Sequence, residues 1–263
     1  MEDKNVDLST KPGASLHISI LPNPSSRTLV VFLNGLALPS AAWSETVTRL
    51  SSLRIKSSQP MPTLLCYDRY GQGSSDSDPT DPPNSPYGHD ARAAVADLHQ
   101  LLTQISQDEL SHRKLEDLRL VLVCNSIGCA LARLYAANHP GRVEAYIFLD
   151  SMMANTDFVS IFPDPDGPTF DKGQLSEDMT ADDLRHTRAK FLQYFHPTVP
   201  NSEHLDRRQL RELLPLADGP ALPEGPGGRS PLLVVVGHDW DEFAAQCEQV
   251  SCPGRTECCA IVC

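Results

Sequence analysis

The residue with the clearest chemical potential is Ser126. It stands in Leu118-Arg-Leu-Val-Leu-Val-Cys124-Asn125-Ser126-Ile127-Gly128-Cys129-Ala130, where an apolar run of strand type leads straight into a segment of helical period. A tight turn between the two would lift a serine hydroxyl clear of a sheet, provided small residues flank it. Gly128 meets that need. Cys124 is also small, though its Cβ adds crowding. The plain structural alternative is a serine that caps the following helix. A serine nucleophile implies acyl-enzyme chemistry on an ester, thioester, lactone, amide or peptide. Serine attacks poorly unaided, so it needs an imidazole to take its proton and a carboxylate to orient that imidazole.

Such a serine must be carried by a sheet, and the chain supplies one. Strands are expected at Ser15–Leu21, Thr28–Leu33, Thr63–Tyr67, Leu118–Cys124, Glu144–Leu149 and Pro231–Val236. The continuous apolar character of several of them is that of strands buried on both faces. Between them, helices are expected over Ser40–Leu53, with Ser40 as N-cap, from Gly88 onward, and over Ile127–Asn138. In the second of these, Ala91, Ala94, Val95, Leu98, Leu101, Leu102 and Ile105 recur at helical spacing. His89 and His99, on or beside that helix, read as surface or packing residues. From Met152 to about Arg229 the alternation breaks into Pro-rich turns and two expected helices, Ala181–Phe195 and Glu203–Leu214. Strand and helix in this order predict a mostly parallel sheet with helices on both faces. The inserted segment would lie above the carboxyl ends of the strands, where sites in such sheets are found.

Three motifs, each at an expected strand end, carry a family resemblance. Cys124-Asn-Ser126-Ile-Gly128 resembles the nucleophile elbow G-x-S-x-G of the α/β-hydrolases, with Cys124 in place of the first glycine. Asn34-Gly35-Leu36, closing the apolar run at Val31, resembles that family's oxyanion loop, with Asn34 where a histidine is usual. Tyr67-Asp68-Arg69-Tyr70-Gly71-Gln72-Gly73-Ser74 resembles its D-x-x-G-x-G-x-S loop. The resemblance implies an α/β-hydrolase fold with a cap or lid. The core would be residues 1–151 and 231–250, the cap 152–230, and residues 251–263 an atypical Cys-rich tail. It implies oxyanion donors at the backbone N–H groups of Leu36 and Ile127. A serine at the elbow separates the chain from epoxide hydrolases and haloalkane dehalogenases of this fold, which carry aspartate there.

The family order is serine, acid, histidine. The acid is expected after the seventh strand, at Asp239 first and Asp241 second, with Asp150 at the end of the preceding strand as a third choice. All nine histidines precede Asp239. The late histidine of the family is therefore absent from this sequence, and its last strand and helix are expected to be missing. His238, with Asp150 as acid, is the one alternative that keeps the order. Two readings stay open: a serine hydrolase of a small ester-, lactone- or amide-like molecule, or a catalytically incomplete relative that binds a ligand or partner.

Composition narrows the rest. The 263 residues carry a net charge of -12, with 40% hydrophobic and 21% charged residues. A nucleic-acid partner is not expected, because nothing resembles the basic face that would displace counterions from phosphate. The polar start lacks the apolar core of a signal peptide, and the apolar runs are strand-length, so no membrane span and a cytoplasmic location are expected. Cys66, Cys124 and Cys129 read as buried small hydrophobes. Cys247, Cys252, Cys258, Cys259 and Cys263 crowd the end without zinc-ligand spacing. No metal and no cofactor are implied, and the oligomeric state is left open.

Overall fold

The computed structural model describes residues 1–111, 113–175, 179–217 and 219–237. Seven strands form one sheet: β1 (Glu2–Asp7), β2 (Ser15–Leu21), β3 (Thr28–Leu33), β4 (Thr63–Tyr67), β5 (Arg119–Ser126), β6 (Val143–Ser151) and β7 (Leu232–Val236). Their order is β1-β2-β4-β3-β5-β6-β7. The β1/β2 and β2/β4 pairs are antiparallel, and every pair from β4 through β7 is parallel.

Helices α2 (Ala91–Asp108) and α3 (Ile127–Asn138) cover one face with the larger core, which includes Leu29, Val31, Leu122, Cys124, Leu98 and Leu131. Helix α1 (Ser44–Lys56) covers part of the other, over Val30, Phe32, Leu64, Cys66 and Val123. The chain thus leaves β3 toward one face and β5 toward the other. Leu33 pairs with Cys124, so these two strands end side by side. This is the switch point of the sheet, the place where a crevice opens beyond the strand ends. At the far side, β7 pairs with β6, and all its residues are exposed, from 49% at Leu233 and Val236 to 72% at Leu232.

Several expectations are corrected. Ser40 does not cap α1. Its backbone N–H donates to the buried Asp68 carboxylate (2.5 Å), and Ser40–Trp43 forms a 3-10 turn before the α-helix starts at Ser44. The expected helix over 203–214 shrinks to α5 (Leu210–Leu213). Residues 203–206 are instead fastened to the core by their own backbone: Gly88 N–H donates to His204 O, and Asp206 N–H to His89 O. Those bonds replace the ones a helix would make. Strand β1 was not foreseen, because its residues are mostly polar; Val6 is its one apolar residue and packs against the larger core, which Leu8 joins just past the strand's end. Of the two readings of His89, surface or packing, the packing one holds: it is buried beside Asp81 and Asp78. The insertion also carries α4 (Ala181–Tyr194), started by a capping box between Thr180 and Asp183.

Candidate active site

Ser126 is the last residue of β5 and immediately precedes α3. Its backbone has φ 50° and ψ -118°. Residues with a Cβ rarely adopt a positive φ, and strain of this kind gathers at functional sites. The hydroxyl makes no cap bond to the helix, which removes the reading of Ser126 as an ordinary N-cap. Gly128 is required by proximity: a Cβ there would lie 2.5 Å from Leu33 O and 3.0 Å from Asn34 O. The start of α3 is therefore pressed onto the backbone that leaves β3. Cys124 is fully buried at the position of the missing first glycine. On the neighbouring strand, the β5/β6 register shifts between Asn125 and Ser126. Asp150 takes φ 48° at that irregularity.

The loop after β3 is held by buried polar groups. Asn34 spans two loops: its Nδ2 donates to Tyr67 O (2.9 Å), and its Oδ1 accepts from Trp43 Nε1 (2.8 Å). Asp68 accepts from the N–H groups of Ser40 and Ser74, the latter at 3.0 Å. A Cβ at Gly73 would fall 2.1 Å from the same carboxylate, and Gly73 has φ +48°. The Asp-Gly loop thus braces the loop that carries Leu36.

Two contributors escaped sequence reasoning. Arg69 and Glu203 are 134 residues apart, yet Arg69 Nε donates to Glu203 Oε2 at 3.1 Å with both side chains buried. Arg69 also donates to Asn34 O and Gly35 O, each at 2.9 Å. An arginine between Asp68 and Tyr70, just after an apolar strand, was the only available hint; nothing local marks Glu203.

Of the expected site residues, the structure brings Ser126, Ile127 and Asp150 to adjoining strand ends at the switch point, next to the loop of Leu36. Asp239, Asp241 and His238 lie outside the described residues, as do Cys247, Cys252, Cys258, Cys259 and Cys263. Among the described residues, the histidine rings bond to Asn5, Asp81, Tyr135 and Thr198, and none bonds to Ser126. Cys66, Cys124 and Cys129 are free and buried, and burial pushes the Cys66 and Cys129 thiols up to about 12. They are inert packing groups at neutral pH. A cavity of about 190 Å³ beside the site is lined by Asn34, Gly35, Trp43, Asn125 and Leu149. A larger groove of about 770 Å³ follows the open sheet face over Val30, Val121, Val123 and Ile147; neither reaches Ser126.

Asp78, Asp81 and His89 place potential metal-ligating atoms within 4.8 Å of one another. Lys11 already bonds Asp78 and lies 2.7 Å from Asp97 Oδ2, so an added cation would meet an ammonium group. Burial alone would raise the Asp78 carboxyl, but its bonds from Lys11 and Thr80 hold it below the ordinary value. The cluster reads as an internal ion-pair network that ties the N-terminal hairpin to α2.

The sequence model of the family described as "Alpha/beta hydrolase family" matches residues 30–255. The chain belongs to that family. Among solved structures, this chain is similar to a Vigna radiata epoxide hydrolase mutant, at 16% identity over 95% of each chain with a TM-score of 0.49. It is also similar to an alpha/beta hydrolase from Novosphingobium aromaticivorans, at 27% identity over 57% of this chain and 44% of that one, TM-score 0.42. A third is a thioesterase domain from the curacin biosynthetic pathway, at 16% identity over 73% and 52%, TM-score 0.44. The chain thus spans about half the length of the latter two. No curated protein matches it. Among the described residues no helix is long and apolar enough to cross a membrane.

Proposed function

We propose that this family member is a serine hydrolase acting on an ester-, lactone- or amide-like small molecule through an acyl-enzyme at Ser126. The observation that carries the reading is the strained Ser126 backbone at the end of β5, with a hydroxyl that does not cap α3. Ser126 Oγ attacks the carbonyl carbon while its proton passes to a base. The developing oxyanion takes the N–H groups of Leu36 and Ile127. Two fixed donors aimed at that oxygen contribute several kcal/mol, of order 3 each, to the transition state. Collapse expels the alcohol or amine, which takes up the proton, and water then releases the acid and regenerates the serine. Asp239 is the first choice to orient the base, Asp241 the second, and Asp150 the third, paired in that case with His238. Residues 152–230 serve as the cap, with the second part of the segment anchored on the core through Glu203, Leu205 and Leu210. The reaction on this reading needs no metal or cofactor, and a small molecule rather than a nucleic acid is the partner.

A second reading is a relative that binds a ligand without turnover. It is favoured by the lack of a histidine bonded to Ser126 among the described residues. Labelling with a fluorophosphonate probe separates the two. Ser126-dependent labelling, lost in Ser126→Ala, is expected for the hydrolase. A folded chain that stays unlabelled refutes it and leaves the binding protein.

A further inference from the structure

Arg69 and Glu203 do more than pair. Arg69 Nη1 donates to Asn34 O and Nη2 to Gly35 O, each at 2.9 Å; Gln72 Nε2 adds a second donor to Gly35 O, also at 2.9 Å. Glu203 fixes Arg69 from behind through Nε (3.1 Å) and Nη2 (3.2 Å). The same carboxylate accepts the N–H of Ala37 at 2.9 Å, and Ala37 sits at φ 56°. The two carbonyls before Leu36 and the N–H after it are therefore all held by one buried ion pair. In a trans peptide the C=O and N–H point in opposite directions. With Gly35 O turned to Arg69 and Gln72, the Leu36 N–H faces away from them. The elbow approaches this same stretch, because Gly128 packs on Leu33 O and Asn34 O.

Glu203 is delivered by the insertion between β6 and β7. Its backbone is seated on Gly71, where a Cβ would lie 2.7 Å from Glu203 O and where φ is +77°. The flanking backbone is bonded to Gly88 and His89. The carboxylate thus reaches Arg69 only when the 203–206 segment is docked.

We propose that Arg69 and Glu203 are positioning residues that set the direction of the Leu36 N–H, so that the oxyanion loop is competent only with the 203–206 segment of the insertion in place. The proposal rests on the serine-hydrolase reading for its catalytic consequence, and on geometry alone for the loop. Its test uses the full chain with Glu203→Gln, which keeps shape and one acceptor but removes the charge. Arg69→Lys is the second variant; it keeps the charge but cannot serve two carbonyls and the carboxylate together. The rate constant for phosphonylation by a fluorophosphonate is separated from the affinity for the probe. A fall of about tenfold or more in rate, with affinity held within about twofold and a cooperative unfolding transition retained, is expected. An unchanged rate in both folded variants overturns the proposal. Amide hydrogen exchange over residues 33–40 is the readout independent of reactivity. If the parent chain is not labelled, the hydrolase reading fails, while faster exchange confined to that loop in either variant still supports the positioning role. Unchanged exchange refutes it. Should Glu203→Gln not fold, Arg69→Lys carries both measurements.

Discussion

Replacing Ser126 by glycine should stabilise the fold while abolishing reactivity. Ser126 holds φ 50° and ψ -118°, a conformation that costs a residue with a Cβ about 1–3 kcal/mol and costs glycine almost nothing. Its hydroxyl makes no bond to the helix, so deleting the oxygen forfeits little. Glycine also enlarges the freedom of the unfolded chain, which opposes the gain by about 0.4–1 kcal/mol. The net is a stabilisation of about 0.5–2 kcal/mol. For a chain of this size that is a rise in midpoint of roughly 1–8 °C. Ser126→Ala is the necessary comparison, because alanine removes the hydroxyl but keeps the Cβ and its strain. Thermal and urea unfolding of the three proteins measure the order. Glycine above serine and alanine, with serine and alanine nearly equal, is expected. A glycine variant no more stable than alanine would show that the elbow stores no backbone strain, and the argument for a poised nucleophile would lose its foundation.

Gly128→Ala should act in the opposite direction. Its Cβ would stand 2.5 Å from Leu33 O, and a backbone carbonyl cannot rotate away, so helix and loop must separate. A loss of about 1–3 kcal/mol, reduced by up to about 1 for the helix preference of alanine, is expected in urea unfolding together with slower probe labelling. An unaltered midpoint and rate would contradict it. The His99 and His139 rings stack 3.8 Å apart beside Tyr135. Burial, then the neighbouring His99 and Arg142, lowers His139 from 6.5 to about 4; burial and Arg142 also lower His99, against Glu116. Between those values the unfolded chain binds protons that the folded one refuses, so stability is complete above about pH 6.5 and falls as pH drops toward 4. Because His139 is only partly buried, solvent screening reduces its share to about 1 kcal/mol. His139→Gln should flatten the urea midpoint over that window, and parallel curves for parent and variant would refute the assignment.

The part of the site that lies along the chain was legible in the sequence, and the part that crosses it was not. Leu120–Cys124, Ser126 and Gly128 announce strand, turn and helix within a dozen residues, because burial on both faces and close approach each leave a local mark. Asn34-Gly35 and the Asp68 loop were legible for the same reason. Glu203 left no such mark. Its surroundings have helical period, and the helix is lost because tertiary partners claim the carboxylate and the backbone around it. Ser40 illustrates the same competition on a smaller scale, with a cap expected from residue type and a buried carboxylate deciding otherwise. Strand β1 was hidden by its charge, since an antiparallel edge strand needs only one apolar face.

The separation of Arg69 from Glu203 also fixes an order of events on the ribosome. The 134 residues between them take about 7–27 s to be made at ordinary elongation rates of 5–20 residues per second. Through that interval a nascent sheet can already hold β3 beside β4, and then β5, while the guanidinium aimed at Asn34 and Gly35 has no anion behind it. Ser126 and its turn are therefore synthesised well before the Gly35–Leu36 peptide can be locked. A newly made chain can assemble the centre of its sheet first, and the Gly35–Leu36 peptide is held only when the returning segment closes over Gly71.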